Sequence, residues 1–171
     1  SEWKVTVRAF NADLDEIKRE EFAGSGSIDR VESLGELALT ADQVGETPTL
    51  IVSEVTRNDE LQQRSFYWMN YEQYQGSLFY MLPFTKVTVT EEGDDLVVRN
   101  EGNKPAVAVQ FAVAGISDQF MSDENFFWLD AGESRVIKAN VTEGVGVKAW
   151  NSSAVEDHTP PAALTNIIVS P

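Results

Sequence analysis

The residues of this chain with chemical reach are carboxylates, amides and aromatic rings, because the other reactive types are scarce. There is one histidine, His158, and no cysteine. A histidine-based triad or zinc site therefore has no residues to draw on, and thiolate chemistry is excluded. Four oxygen-bearing residues crowd one segment: Asp118, Asp123, Glu124 and Asn125. Such a set suits calcium. Their spacing matches no EF-hand loop, and the plainer account is an acidic loop that hydrogen-bonds its own backbone. Neither a metal nor a cofactor is expected. Asn100-Glu101 precedes Gly102 and reads as turn chemistry. Two aromatic runs stand out. Phe66 to Tyr74 could stack on sugar rings, though core and domain interface are the plainer use. In Phe126-Phe127-Trp128-Leu129, strand alternation turns two side chains inward and two outward. An outward Trp128 would meet a partner or its ligand; burial in the core is the competing reading. His158, in Asp157-His158-Thr159-Pro160-Pro161, has no assigned role.

The elements that must hold these residues follow a period of two. In Trp3 to Ala9 the odd positions are apolar or small, and Lys4, Thr6 and Arg8 are polar, which predicts a half-buried strand. Thr49 to Val55 and Gln63 to Met69 read as further strands. Lys86 to Thr90, Leu96 to Val98, Pro105 to Val113, Ser134 to Ala139 and Val145 to Trp150 follow at short spacing. Turn signals such as Glu92-Gly93-Asp94-Asp95 and Asp130-Ala131-Gly132-Glu133 separate them. Two stretches could be helical, Asp13 to Glu21 and Leu61 to Arg64. Many short strands with frequent turns predict an all-β sandwich class. The strands outnumber what one immunoglobulin-like (Ig-like) sandwich of about 100 residues holds. The expectation is two tandem Ig-like sandwich domains, 1–84 and 85–171, joined near Pro83–Thr85.

Charge narrows the partners. The net charge is −15, from 28 acidic and 13 basic residues. Up to Phe84 there are 15 acidic and 7 basic residues, and after it 13 and 6. An evenly acidic surface repels phosphate backbones and anionic lipid, so neither nucleic acid nor membrane is an expected partner. Neutral sugars are not excluded. The strand pattern begins almost at Ser1, as in an excised fragment. Absence of cysteine points to a bacterial parent, periplasmic or secreted rather than cytoplasmic. On that reading the sequons Asn140-Val141-Thr142 and Asn151-Ser152-Ser153 are accidental.

Two segments carry a family resemblance. In Val97-Val98-Arg99-Asn100-Glu101-Gly102-Asn103-Lys104-Pro105-Ala106 a strand ends in Asn, turns on Gly and restarts at Pro-Ala. Ser122-Asp123-Glu124-Asn125-Phe126-Phe127-Trp128-Leu129-Asp130-Ala131-Gly132-Glu133-Ser134 follows. Together they resemble the last Ig-like domain of β-mannosidases in family 2 of the glycoside hydrolases. Glu124 looks inserted relative to the family pattern, and Ala131 replaces its usual proline. Trp150-Asn151 is similar to the closing strand of that domain. Arg64 to Trp68 and Leu82-Pro83 are similar to the sandwich domain before it. In that family a TIM barrel hydrolyses the glycoside with retention, using two glutamates. A (β/α)₈ barrel needs about 250 residues and cannot fit in this chain.

The resemblance thus implies accessory, non-catalytic domains of a retaining exo-β-glycosidase, β-mannosidase-like, that support a barrel elsewhere in the parent chain. Exo-glucosaminidases share the layout, so the glycoside is not fixed. Asn100-Glu101 looks like the Asn-Glu pair of the family's acid/base, but its place in a glycine turn makes it an ordinary turn, and no catalytic residue is assigned. Asp123, Asn125 and Trp128 are the candidates for a rim facing the barrel and its substrate. Asp123 is also expected to hold its own loop by accepting backbone N–H groups. The alternatives are a free-standing pair of carbohydrate-binding modules and a cell-surface adhesion fragment.

Overall fold

The structure, a computed structural model, describes residues 3–24, 31, 33–44, 49–69, 81–113 and 120–152. The chain divides into two compact units, Ser1–Pro83 and Phe84–Pro171. The fold is all-β.

In the first unit β1 (Trp3–Phe10), β2 (Glu16–Gly24), β3 (Thr49–Arg57) and β4 (Glu60–Met69) form one antiparallel sheet in the order β2-β1-β3-β4. The Asn11 side chain shapes the first turn, its Oδ1 accepting from the amides of Asp13 and Asp15 at 3.0 and 2.9 Å. The β3–β4 turn places Asn58 and Asp59 at φ of 51° and 65°. Positive φ at both central residues is the type I′ geometry that matches strand twist, and short polar side chains tolerate it.

Three sequence expectations are corrected here. Asp13 to Glu21 is not helical: residues from Glu16 onward form β2, paired along β1 from Phe10↔Glu16 to Trp3↔Gly24. Leu61 to Arg64 is likewise strand, within β4. In both, cross-strand pairing overrides a weak local preference. Among the described residues the helix is α1 (Ala41–Val44). Thr40 and Gln43 cap it reciprocally: Gln43 Oε1 accepts from the Thr40 amide at 3.0 Å, and Thr40 Oγ1 from the Gln43 amide at 3.3 Å.

The third correction concerns β1. Its polar positions Thr6 and Arg8 are buried, while Val5 and Val7 are only half-buried. Arg8 shares a face with Glu54 and Val52 through the registers Thr6↔Glu54 and Arg8↔Val52. Glu54 Oε1 accepts from Arg8 at 3.1 Å and from Arg64 Nε at 2.6 Å. All three side chains are at most 16% exposed. Arg8 also lies over the Phe10 ring at 5.3 Å. A shared carboxylate is what allows two guanidinium groups to be buried here.

In the second unit β5 (Val87–Glu92), β6 (Asp95–Asn100) and β9 (Ser134–Lys138) form one sheet, ordered β5-β6-β9. β7 (Ala106–Val113), β8 (Phe127–Leu129) and β10 (Val145–Lys148) form another, ordered β10-β7-β8. Gly93, at φ 66°, makes the tight β5–β6 turn. The alternation read in the sequence selects the core. Val87, Leu96, Val98 and Ile137 of the first sheet pack with Ala106, Val109, Phe127, Leu129, Val145 and Val147 of the second. A bulge in β7, with Ala108 at φ 52°, shifts the register so that both Ala106 and Val109 reach this core.

Replacing Glu54 by alanine removes an acceptor that two buried guanidinium groups share. We expect a loss of about 2–4 kcal/mol in chemical denaturation, the lower part of the range for breaking a buried ion pair, since Arg8 also faces Glu16 at 3.9 Å. Glu54→Gln, which keeps an acceptor oxygen, is expected to lose less.

Candidate functional site

The polar centre of the second unit is Asn100, the last residue of β6 and fully buried. Its Oδ1 accepts from Thr85 Oγ1 at 2.6 Å and from the Gly102 amide at 3.1 Å. Its Nδ2 donates to the carbonyls of Lys104 (2.8 Å), Asp130 (3.0 Å) and Leu129 (3.2 Å). Its backbone amide donates to the Glu133 carbonyl at 2.9 Å. One carboxamide thereby joins the segment before β5, the β6–β7 turn and the end of β8. Gly102 is required by space: a Cβ there would lie 2.0 Å from Thr85 Oγ1. Asn151 repeats the device beside β7. Its Oδ1 accepts from the Val107 amide at 2.9 Å and its Nδ2 donates to the Pro105 carbonyl at 2.8 Å. With 1% exposure and both amide atoms engaged, Asn151 is no glycan acceptor in the folded chain.

Glu101 follows Asn100 but points elsewhere. It is exposed and pairs with Lys86 at 2.9 Å. The hydrogen bond from the Lys86 ammonium, and its charge, hold the Glu101 carboxyl below the usual glutamate range. A general acid needs a raised pKa near the working pH, so this shift runs against that role.

The loop from Ser122 to Glu133 holds the three rim candidates. Asp123 is exposed, and it exchanges two bonds with β9: its amide donates to the Lys138 carbonyl at 3.0 Å, and the Lys138 amide donates to its Oδ1 at 3.0 Å. The expected backbone partner is thus on β9 rather than in the loop itself. This contact covers part of an edge strand. Asn125 is exposed and takes the Phe126 amide on Oδ1 at 3.1 Å. Trp128 is 1% exposed. Its indole N–H donates to Asp130 Oδ1 at 2.8 Å, and a ring so enclosed offers no face to a ligand. All three β8 residues are buried, where alternation alone turned one outward. The exposed ring of this loop is Phe126, 53% exposed and at φ 55°. Sequence reasoning missed it, since nothing in the run marks which ring takes the turn.

The remaining carboxylates are engaged. Glu124 pairs with Arg135, which also lies over the Phe127 ring at 5.3 Å, and Glu133 Oε2 accepts the Asp130 amide at 2.7 Å. Among the described residues no group of three or more His, Cys, Asp or Glu is placed to hold a metal ion. Asp118 and His158 lie outside the described residues, as do Tyr71 and Tyr74 of the first aromatic run. On β4, Tyr67 is 57% exposed while Phe66 and Trp68 are half-buried, as alternation requires.

The two polar anchors are expected to differ in weight. Asn100→Ala strands a buried hydroxyl and backbone groups and should cost about 2–4 kcal/mol, whereas Asp123→Ala, at an exposed edge, should cost about 0.5–1 kcal/mol. Urea titration of both variants decides this; equal losses would contradict the assignment of Asn100 as the main anchor.

Comparisons with known proteins agree with this geometry. Residues 82–158 match the family model Ig_mannosidase, an Ig-fold domain. The crystal structure of Amycolatopsis orientalis exo-chitosanase CsxA superposes with a TM-score of 0.58 and 17% identity, covering 88% of this chain and 23% of that one. A second structure, from inhibition of the exo-beta-D-glucosaminidase CsxA by a glucosamine-configured castanospermine and an amino-australine analogue, gives 0.56 and 16% with the same coverage. At these identities the likeness is one of fold. This chain spans about a quarter of that protein's length. No curated protein matches it. The two segments whose resemblance was read in the sequence fall within the matched residues, and the match to an Ig-fold domain is consistent with the sheets of the second unit.

Proposed function

We propose that the chain is the accessory β-domain pair of a retaining exo-β-glycosidase, β-mannosidase-like and bacterial, and that it braces a TIM-barrel catalytic domain elsewhere in the parent chain. The observation that carries the reading is the Ig_mannosidase match over residues 82–158. The likeness to a glycosidase of which the chain covers only 23% supports it. Retaining hydrolysis needs two carboxyl groups about 5 Å apart across the scissile bond, with one poised as an acid. Four described acidic residues of the second unit's loops, Glu101, Asp123, Glu124 and Glu133, are instead spent on ion pairs and backbone amides. In this reading the first unit is the sandwich domain preceding the last one. Asp123 and Asn125 shape the loop that reaches toward the barrel's rim, and Phe126 is the ring that loop displays.

The test compares the parent enzyme with and without this region. The isolated chain should release no p-nitrophenol from aryl β-mannosides or β-glucosaminides. The parent lacking it should lose soluble yield or activity by about tenfold or more, which for activity corresponds to about 1.4 kcal/mol of barrier height. Turnover by the isolated chain, or a truncated parent with full activity and an unchanged melting temperature, would overturn the reading.

A further inference from the structure

We propose that the outer face of the β5-β6-β9 sheet is a two-fold interface with a second copy of this chain. Strand alternation assigns the face. Leu96, Val98 and Ile137 pack into the core, so Asp95, Val97 and Arg99 of β6 and Ser134, Val136 and Lys138 of β9 turn away from it. On β5, Val87 and Val89 turn inward and Thr88, Thr90 and Glu92 outward. The registers align these outward residues in three rows across the sheet: Thr88–Arg99–Ser134, Thr90–Val97–Val136 and Glu92–Asp95–Lys138. Each is exposed or half-buried, and Val136 is 58% exposed.

The layout is complementary to itself. Lay two copies face to face, with a two-fold axis between them along the middle row. Each strand then lies over its own counterpart with its direction reversed, as an isologous contact requires. The middle rows meet, Val97 on Val97 and Val136 on Val136, and the first row of each copy meets the third row of the other. Arg99 faces Asp95, Thr88 faces Glu92 and Ser134 faces Lys138, each pair occurring twice. Every one of these pairs joins a donor to an acceptor. An axis along the strands would instead set Arg99 against Arg99 and Asp95 against Asp95, so charge selects the first arrangement. Within one copy the side chains of Arg99, Asp95 and Lys138 form no ion pair with a described residue.

Charge also singles out this face. The second unit has 13 acidic and 6 basic residues, yet the three rows hold two of each, Glu92 and Asp95 against Arg99 and Lys138. Two copies of a chain of net charge −15 approach most readily where their local charge is balanced. The β-branched middle row gives a flat surface of the kind that stacks sheet on sheet, about 10 Å apart. The three rows supply fewer side chains than the roughly 20–30 residues a side of a standard interface, so the dimer is weak and reversible. The interface goes beyond the bracing role and does not depend on it, and either can fail while the other stands.

Sedimentation equilibrium of the 171-residue chain tests the interface. At concentrations up to about 1 mM it should show a monomer–dimer equilibrium with a Kd on the order of 0.1 mM. Arg99→Glu and Asp95→Lys should each weaken the dimer by about tenfold or more and leave the melting temperature unchanged, since both side chains lie on the solvent side of the sheet. An equimolar mixture of those two variants should recover dimer at the wild-type level, because each copy then offers the charge that the other lacks. Val136→Lys, in the middle row, should also abolish the dimer and gives a test independent of the charged pair. A chain that stays monomeric throughout would overturn the proposal. So would a dimer that all three variants leave intact, or a mixture of folded Arg99→Glu and Asp95→Lys chains that stays monomeric.

Discussion

The second unit is organised around a carboxamide that has no access to water. A buried amide left without partners costs more than most single contacts return. Asn100 meets that demand with five side-chain hydrogen bonds, four of them to residues outside the strands and one to Leu129 at the end of β8. The β6–β7 turn closes because its Gly102 amide and Lys104 carbonyl both reach the same side chain. The chain leaving β8 is held because its Leu129 and Asp130 carbonyls share the Nδ2 group. Once those ends are placed, Leu96 and Val98 on one sheet and Phe127 and Leu129 on the other are positioned to form the core. Asn151 makes the matching closure at Pro105 and Val107, and its backbone carbonyl receives the Thr85 amide at 2.8 Å. Thr85 therefore touches both anchors.

The first unit meets a similar demand with charge. Arg8 and Arg64 lie within the sheet's covered face because Glu54 accepts from both. Apolar residues adjoin this group on the same strands, where Val52 opposite Arg8 and the neighbouring pair Phe10 and Leu50 are buried. In each unit, burial of a polar group is coupled to one specific arrangement of its neighbours. That coupling gives conformational definition to small cores built without disulfides.

Much of this was legible in the sequence. The period of two located β1, β5, β6, β7, β9 and β10, and the turn residues bounded them. The all-β class follows directly from that pattern. The covered face of β1 was not legible, because periodicity says which residues share a face but not which face is covered. Thr6 and Arg8 are buried only because Glu54 and Arg64 arrive from distant strands. The charged run entering β2 carries no strand signal of its own and takes its conformation from β1. The capping pair Thr40 and Gln43 was a local signal for α1 that went unread. Within the candidate loop, Asp123 was legible as a structural acceptor, but its partner on β9 was not, since that contact joins residues fifteen apart. Asn100 read as a turn residue because its role depends on the Leu129 and Asp130 carbonyls some thirty positions away.

The claim that one carboxamide couples these segments is tested most directly by amide hydrogen exchange in the Asn100→Ala variant. The account predicts faster exchange at Thr85, Gly102 and Glu133 together, with the Leu96–Val98 ladder still protected. Faster exchange at Gly102 alone would mean that the segments are held independently, and would contradict the account.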